Sequence, residues 1–181
     1  LRSRLDARRR RFAAAQASAS RALAATDASD VLTGINAEAA LADALTDPGA
    51  ALAHIDSMLA RCEATYGEQH AITAAFQRRA AGALLRFARA AEALPLLRRS
   101  LATCQQHDPV VANTAESHRL IADAHLALGE PDEALGSARA AVTLLAASPG
   151  DHILDLALAR RALGRAHLAR GEADAAVTVL Q

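Results

Sequence analysis

Along the second half of this chain, apolar positions form amphipathic helical stretches cut by glycine. The run His118 to Leu128 (HRLIADAHLAL) keeps its apolar residues three and four apart and stops at Gly129. Glycine suits the left-handed conformation that closes a helix. Glu130, Pro131 and Asp132 restart a helix, since proline is tolerated in a first turn and acids favour the positive helix end. This second helix reaches about Ala146 before SPGD (148–151) breaks it. The next unit follows the same plan: Arg160 to Ala169 (RRALGRAHLA), Gly171 and Glu172, then a helix from Ala173 onward. Upstream, Arg78 to Phe87 and Ala91 to Cys104 read as one helix pair, Val31 to Leu45 and Pro48 to Ala64 as another.

A small-residue beat ties these pairs together. Ala51, Ala93, Ala134 and Ala176 stand 42, 41 and 42 residues apart, each near the start of a second helix. Sliding the sequence by 42 superposes Ala122 on Gly164, His125 on His167 and Gly129 on Gly171; the earlier turns carry Thr46 and Ala88 instead of glycine. Repeats of this length predict a solenoid of stacked antiparallel helix pairs, an all-α right-handed superhelix whose surfaces bind rather than catalyse. The expected division is a basic N-terminal helix or linker over 1–28 and a solenoid over 29–181. Its four repeats fall at about 31–66, 70–107, 111–147 and 152–181, the last incomplete.

Composition agrees with helices. Hydrophobic residues make up 52% of the 181, but 50 are alanine, with three Phe, one Tyr and no Trp. Alanine combines high helix propensity with close helix–helix approach, whereas a sheet would need more β-branched and aromatic residues. Net charge is zero but uneven: +5 over 1–27, −6 over 28–72, +4 over 73–114 and −3 over 115–181. All twenty basic residues are Arg, which points to a GC-rich, bacterial genome. Cys62 and Cys104 lie 42 apart, at equivalent places in successive repeats, and read as buried thiols rather than a disulfide framework. There is neither an apolar run of membrane-spanning length nor a signal-peptide pattern. The chain begins at Leu1 and stops at Gln181 inside an apolar helical pattern, so a longer parent protein is expected. The compartment is left open: a cytoplasmic location is favoured, with room for attachment to an upstream membrane-spanning segment.

Several strings resemble the tetratricopeptide repeat. In that family a small residue packs the first helix on the second, a Gly closes the first helix and an Ala opens the second. Those places fall on Ala122, Gly129 and Ala134, and on Gly164, Gly171 and Ala176. The 41–42 spacing is similar to the kinesin-light-chain subtype, as are Ala93 to Leu101 (ALPLLRRSL, with its Pro95) and Gly67-Glu68-Gln69-His70, echoed by Gly150-Asp151-His152. Positions that are usually Tyr are Leu84, His125 and His167. The resemblance covers about 29–181. It implies a non-catalytic scaffold or sensor region that binds a protein or peptide in a concave groove. It also implies a context, since such repeats in GC-rich bacteria are attached to signalling proteins such as Ser/Thr kinases or winged-helix regulators.

Candidate chemistry is sparse. His118 and His125 could share a helix face, but His125 and His167 hold a recurrent packing place where an imidazole can stand in for Tyr between helices. No metal-ligand pair of His-x-x-x-His, CxxC or HExxH spacing occurs, and no phosphate-binding glycine loop. No enzyme activity, cofactor, metal or small-molecule substrate is therefore expected. One constellation stands out: Arg78, Arg119 and Arg161 each lie three residues before the small packing residue of their repeat, and Asn36 holds the matching place before Ala39. The resemblance places this side of the first helices in the groove, where guanidinium forks grip carboxylates or phosphates. Arg165, with Arg79 and Arg86, would widen the ladder. Pairing of Arg119 with Glu116 and Asp123 on its own helix is the competing reading. Two other functions stay open: self-association of the parent protein, and a tether to nucleic acid or anionic membrane through the arginines of 2–11, a cluster including Arg2, Arg4 and Arg8 to Arg11.

Overall fold

The computed structural model describes residues 2–25, 30–108, 110–148 and 150–181; among residues 2–12, only the side chain of Arg11 is described. Arg2, Arg4 and Arg8 to Arg10, most of the basic run, therefore lie outside the described side chains. Among the described residues there are nine α-helices and no strand. They are α1 (Arg2–Ala25), α2 (Val31–Ala44), α3 (Pro48–Tyr66), α4 (Ala71–Arg86), α5 (Ala90–His107), α6 (Val111–Leu128), α7 (Pro131–Ala147), α8 (Ile153–Ala169) and α9 (Ala173–Leu180). No helix among them is long and apolar enough to cross a membrane.

The chain divides into two compact units, Leu1–Glu68 and Gln69–Gln181. In the first, α2 packs against both α1 and α3. Both of its later helices start at an aspartate. Asp30 Oδ1 accepts from Thr33 N (3.1 Å), and Asp47 Oδ2 from Ala50 N (2.7 Å), with Pro48 in the first turn of α3. These carboxylates satisfy amide groups that a helix leaves free at its beginning. Hydrogen bonding with Thr33 holds the Asp30 carboxyl below its ordinary range.

In the second unit each helix packs on its successor, and α4 also meets α6, and α6 meets α8. The corresponding second helices α5 and α7 do not touch among the described residues. The stack therefore has a tight layer (α4, α6, α8) and a splayed one (α5, α7, α9). The expected small residues sit where helices close on one another: Ala81, Ala93, Ala122, Ala134, Gly164 and Ala176 are all buried. A side chain at Gly164 would press on Leu180 of α9, with Cγ only 3.1 Å from an ideal Cβ.

The three turns inside these pairs are built alike. Gly129 (φ 77°) and Gly171 (φ 80°) adopt the left-handed conformation, and so does Ala88 (φ 59°), which stands where they have no side chain. Across each turn one amide reaches five residues back: Arg89 to Leu84 O, Glu130 to His125 O and Glu172 to His167 O, each 2.9 Å. The turn is thus kept without its glycine in the first pair. In the first unit the segment 45–47 is extended instead, and Asp47 starts the next helix.

The first helices begin earlier than their clearest amphipathic strings. α4, α6 and α8 start at Ala71, Val111 and Ile153, seven residues ahead of Arg78, His118 and Arg160. In α4 and α6 buried polar residues blur the pattern there. Thr73, Gln77, Thr114 and Ser117 face inward, and Ser117 satisfies its hydroxyl on Asn113 O at 3.0 Å.

Candidate functional site: the charged face of the first helices

Arg78 does not reach solvent. It is buried on α4, and its guanidinium is spent on four neighbours. Nε donates to Glu116 Oε2 (3.1 Å), Nη2 to Asn113 Oδ1 (2.9 Å), and Nη1 to Ser100 Oγ (3.3 Å) and Cys104 Sγ (3.0 Å). Ser100 in turn donates to Ala74 O at 2.9 Å, and Asn113 to Asp108 Oδ2 at 2.6 Å. A cation this deep needs such a full set of acceptors, and the small side chains of α5 leave room for it. Arg78 thus joins α4, α5 and α6 and fixes the Glu116 carboxylate from below.

From Glu116 the charges alternate along the tight layer. Arg119 lies 3.9 Å from Glu116 and 3.1 Å from Asp123 on the same helix. Asp123 also receives Arg165 of α8, so it bridges two successive pairs. The order is Arg78, Glu116, Arg119, Asp123, Arg165, in which three guanidiniums share two carboxylates. Arg119 is mostly covered, whereas Arg165 is half exposed. Arg161, one turn before Arg165, is exposed and makes no ion pair among the described residues. A recess of about 30 Å³ lies beside Arg119, Leu145 and Asp155.

Asn36 belongs to the other unit, exposed on α2, with its Nδ2 donating to Leu32 O at 3.0 Å. Arg86 lies 4.7 Å over the ring of Phe87. Both cysteines are buried and free of a disulfide; desolvation pushes the pKa of Cys62 up to about 11, against a smaller opposing effect of Arg61. Among the described residues no three His, Cys, Asp or Glu side chains gather as a metal site would.

His125 and His167 are buried, and each imidazole is also bonded. Nδ1 of His125 donates to Glu130 Oε2, and Nδ1 of His167 to Glu172 Oε2, both at 2.6 Å. The hydrogen bond from His167, then Arg170, keeps the Glu172 carboxyl below its ordinary range. This pairing is missing from the reading of the sequence, although the strings HLALGE and HLARGE show it: an imidazole before the turn and a carboxylate just after.

No protein-family model and no curated protein sequence matches the chain. Solved structures do. The chain is similar to BtubC (BKLC) from P. vanneervenii with a TM-score of 0.72 and 16% identity, over 83% of this chain and 62% of that one. It is also similar to a kinesin light chain of nearly identical TPR-like repeats from Podosopora anserina. A single-site variant of that protein gives a TM-score of 0.71 and its parent form 0.68. Both are 21% identical, over 98% of this chain and 92% of theirs. At these identities the likeness shows the fold, a solenoid of TPR-like helical repeats, as the repeat spacing implies. The chain spans 62% of the length of BtubC.

Proposed function

We propose that this chain is a non-catalytic protein-interaction scaffold, and that the tight layer of the second unit docks a partner segment carrying acidic groups. The observation that supports this is the uneven pairing of charge: Glu116 and Asp123 are shared among Arg78, Arg119 and Arg165, and Arg161 has no acidic partner among the described residues. Exposed guanidiniums can fork a carboxylate or phosphate at little further desolvation cost. In this reading Arg161 and Arg165 contact the ligand and Arg119 backs them. Arg78 is a positioning residue that holds Glu116. The repeat fold and the Lys-free, Ala-rich composition support a place within a larger bacterial signalling or regulatory protein.

An array of acidic and phosphorylated peptides, followed by anisotropy titration of the binders, tests the site. Arg161→Glu/Arg165→Glu should weaken a captured peptide at least about tenfold and flatten its salt dependence. Unchanged affinity in that variant, with helicity retained, removes the acidic-ligand reading.

Self-association is a second reading, favoured by Leu168, Val177 and Leu180, which are each more than half exposed on α8 and α9. Sedimentation across a wide concentration range separates it: a mass that stays monomeric discards it.

A further inference from the structure

Because α5 and α7 both lean on α6 without meeting, a groove opens between them. Its volume is about 670 Å³, within the range of small-molecule sites. The floor is a face of α6 formed by Val111, Thr114 and His118, well away around the helix from Glu116 and Asp123. One wall is a single stripe of α7: Gly136, Arg139, Ala140, Thr143 and Leu144.

Three features make this more than a gap left by packing. Gly136 lies inside a helix, where glycine is unfavourable, yet a Cβ built there meets nothing within 4 Å. No neighbour demands a glycine; its missing side chain keeps the groove open. The ring of His118 is half-buried in the groove and makes no hydrogen bond among the described residues. Arg139 is exposed and makes no ion pair among them. Asp108, the acid lining the same groove, is already engaged: Oδ1 accepts from Val110 N (2.9 Å) and Oδ2 from Asn113 Nδ2 (2.6 Å). The groove thus pairs an apolar bed with one uncommitted cation.

We propose that it binds a small amphiphilic carboxylate, such as a straight acyl chain of roughly eight to ten carbons, which the volume holds. The chain lies along Val111, Ala140 and Leu144, the Arg139 guanidinium forks the carboxylate, and His118 supplies a ring hydrogen bond. This site is on the opposite layer from the acidic-segment surface and stands or falls independently of it.

Decanoate is the probe, with decanol and decyltrimethylammonium as neutral and cationic counterparts, titrated calorimetrically into the full 181-residue chain. The expected result is saturable binding of one decanoate per chain. Arg139→Gln should weaken decanoate by about tenfold or more and leave decanol within about twofold. Gly136→Leu should abolish binding while keeping or raising thermal stability, because it fills the groove and removes a helix glycine. Ala140→Leu, on the same wall, repeats that test if the first variant misfolds. The proposal is overturned by no decanoate binding below about 1 mM, by equal binding of the cationic probe, or by undiminished binding in the groove-filling variants. Multiple weakly bound decanoates insensitive to both substitutions would mean surface adsorption and overturn it as well.

Discussion

His125 and Glu130 are joined twice across the turn between α6 and α7. The imidazole Nδ1 donates to the carboxylate at 2.6 Å, and the Glu130 amide donates to the His125 carbonyl at 2.9 Å. The side-chain bond locks the angle that the main-chain bond sets. Glu130→Ala should therefore lower stability by about 1 kcal/mol, the usual worth of a half-exposed charged hydrogen bond. A double-mutant cycle with His125→Ala in urea denaturation should return a coupling of similar size. Coupling near zero would mean the pair is only a surface contact.

Ala88 carries a left-handed backbone that its two repeat equivalents assign to glycine. A residue with a Cβ is strained there by about 1–2 kcal/mol, part of which glycine gives back as extra freedom in the unfolded chain. Ala88→Gly is expected to raise stability by about 1 kcal/mol, and Gly129→Ala or Gly171→Ala to lower it by about as much. Chemical denaturation of the three variants gives the signs; a destabilised Ala88→Gly would contradict the turn geometry.

Removing Arg78 should be costly. Arg78→Met keeps much of the volume but strips partners from Ser100, Asn113 and Glu116 together, a loss of about 2–4 kcal/mol. Lysine should rescue little, since one ammonium cannot serve acceptors spread over two helices. Full stability in Arg78→Lys would show that charge alone, without the planar fork, suffices.

Burial lowers the pKa of His118 from its ordinary 6.5. The unfolded chain then takes up the proton first as pH falls, so stability is intact above about 6.5 and declines from there toward the folded value. Asp108 and Arg139 line the same groove, one already hydrogen-bonded and the other like-charged with a protonated imidazole. His118→Gln should therefore lose less stability than the native chain between about pH 7.5 and about pH 5, measured by urea midpoints. An identical slope in both would place the imidazole in solvent.

Repeat spacing, the starts of the second helices and the places of the small residues are legible in the sequence because local residues or a regular period mark each of them. Proline and aspartate mark the start of α3, glycine ends α6, and Ala122 is small because a helix crosses it. Partners chosen across helices are not legible. Arg78, Arg119 and Arg161 hold the same place relative to the small residue, yet one is buried, one mostly covered and one exposed. The difference comes from Ser100, Cys104 and Asn113, residues 22 to 35 positions away that happen to offer acceptors to α4. Asp123 meets Arg165 at a separation of 42, a distance that carries meaning only once the repeats are stacked. The imidazole–carboxylate pair is the exception: it was local, and visible as a repeated six-residue string.

Two of the four links in the charge chain of the tight layer, Arg78 to Glu116 and Asp123 to Arg165, lie between helix pairs. In a one-dimensional stack, that adds them to the nearest-neighbour term, alongside the apolar clusters that join α6 and α7 to α8. Added salt screens the exposed Asp123–Arg165 link while sparing the buried core. Heating the second unit in about 1 M salt should then broaden its melting transition more than it shifts the midpoint, because one of the links that make the pairs melt together is weakened.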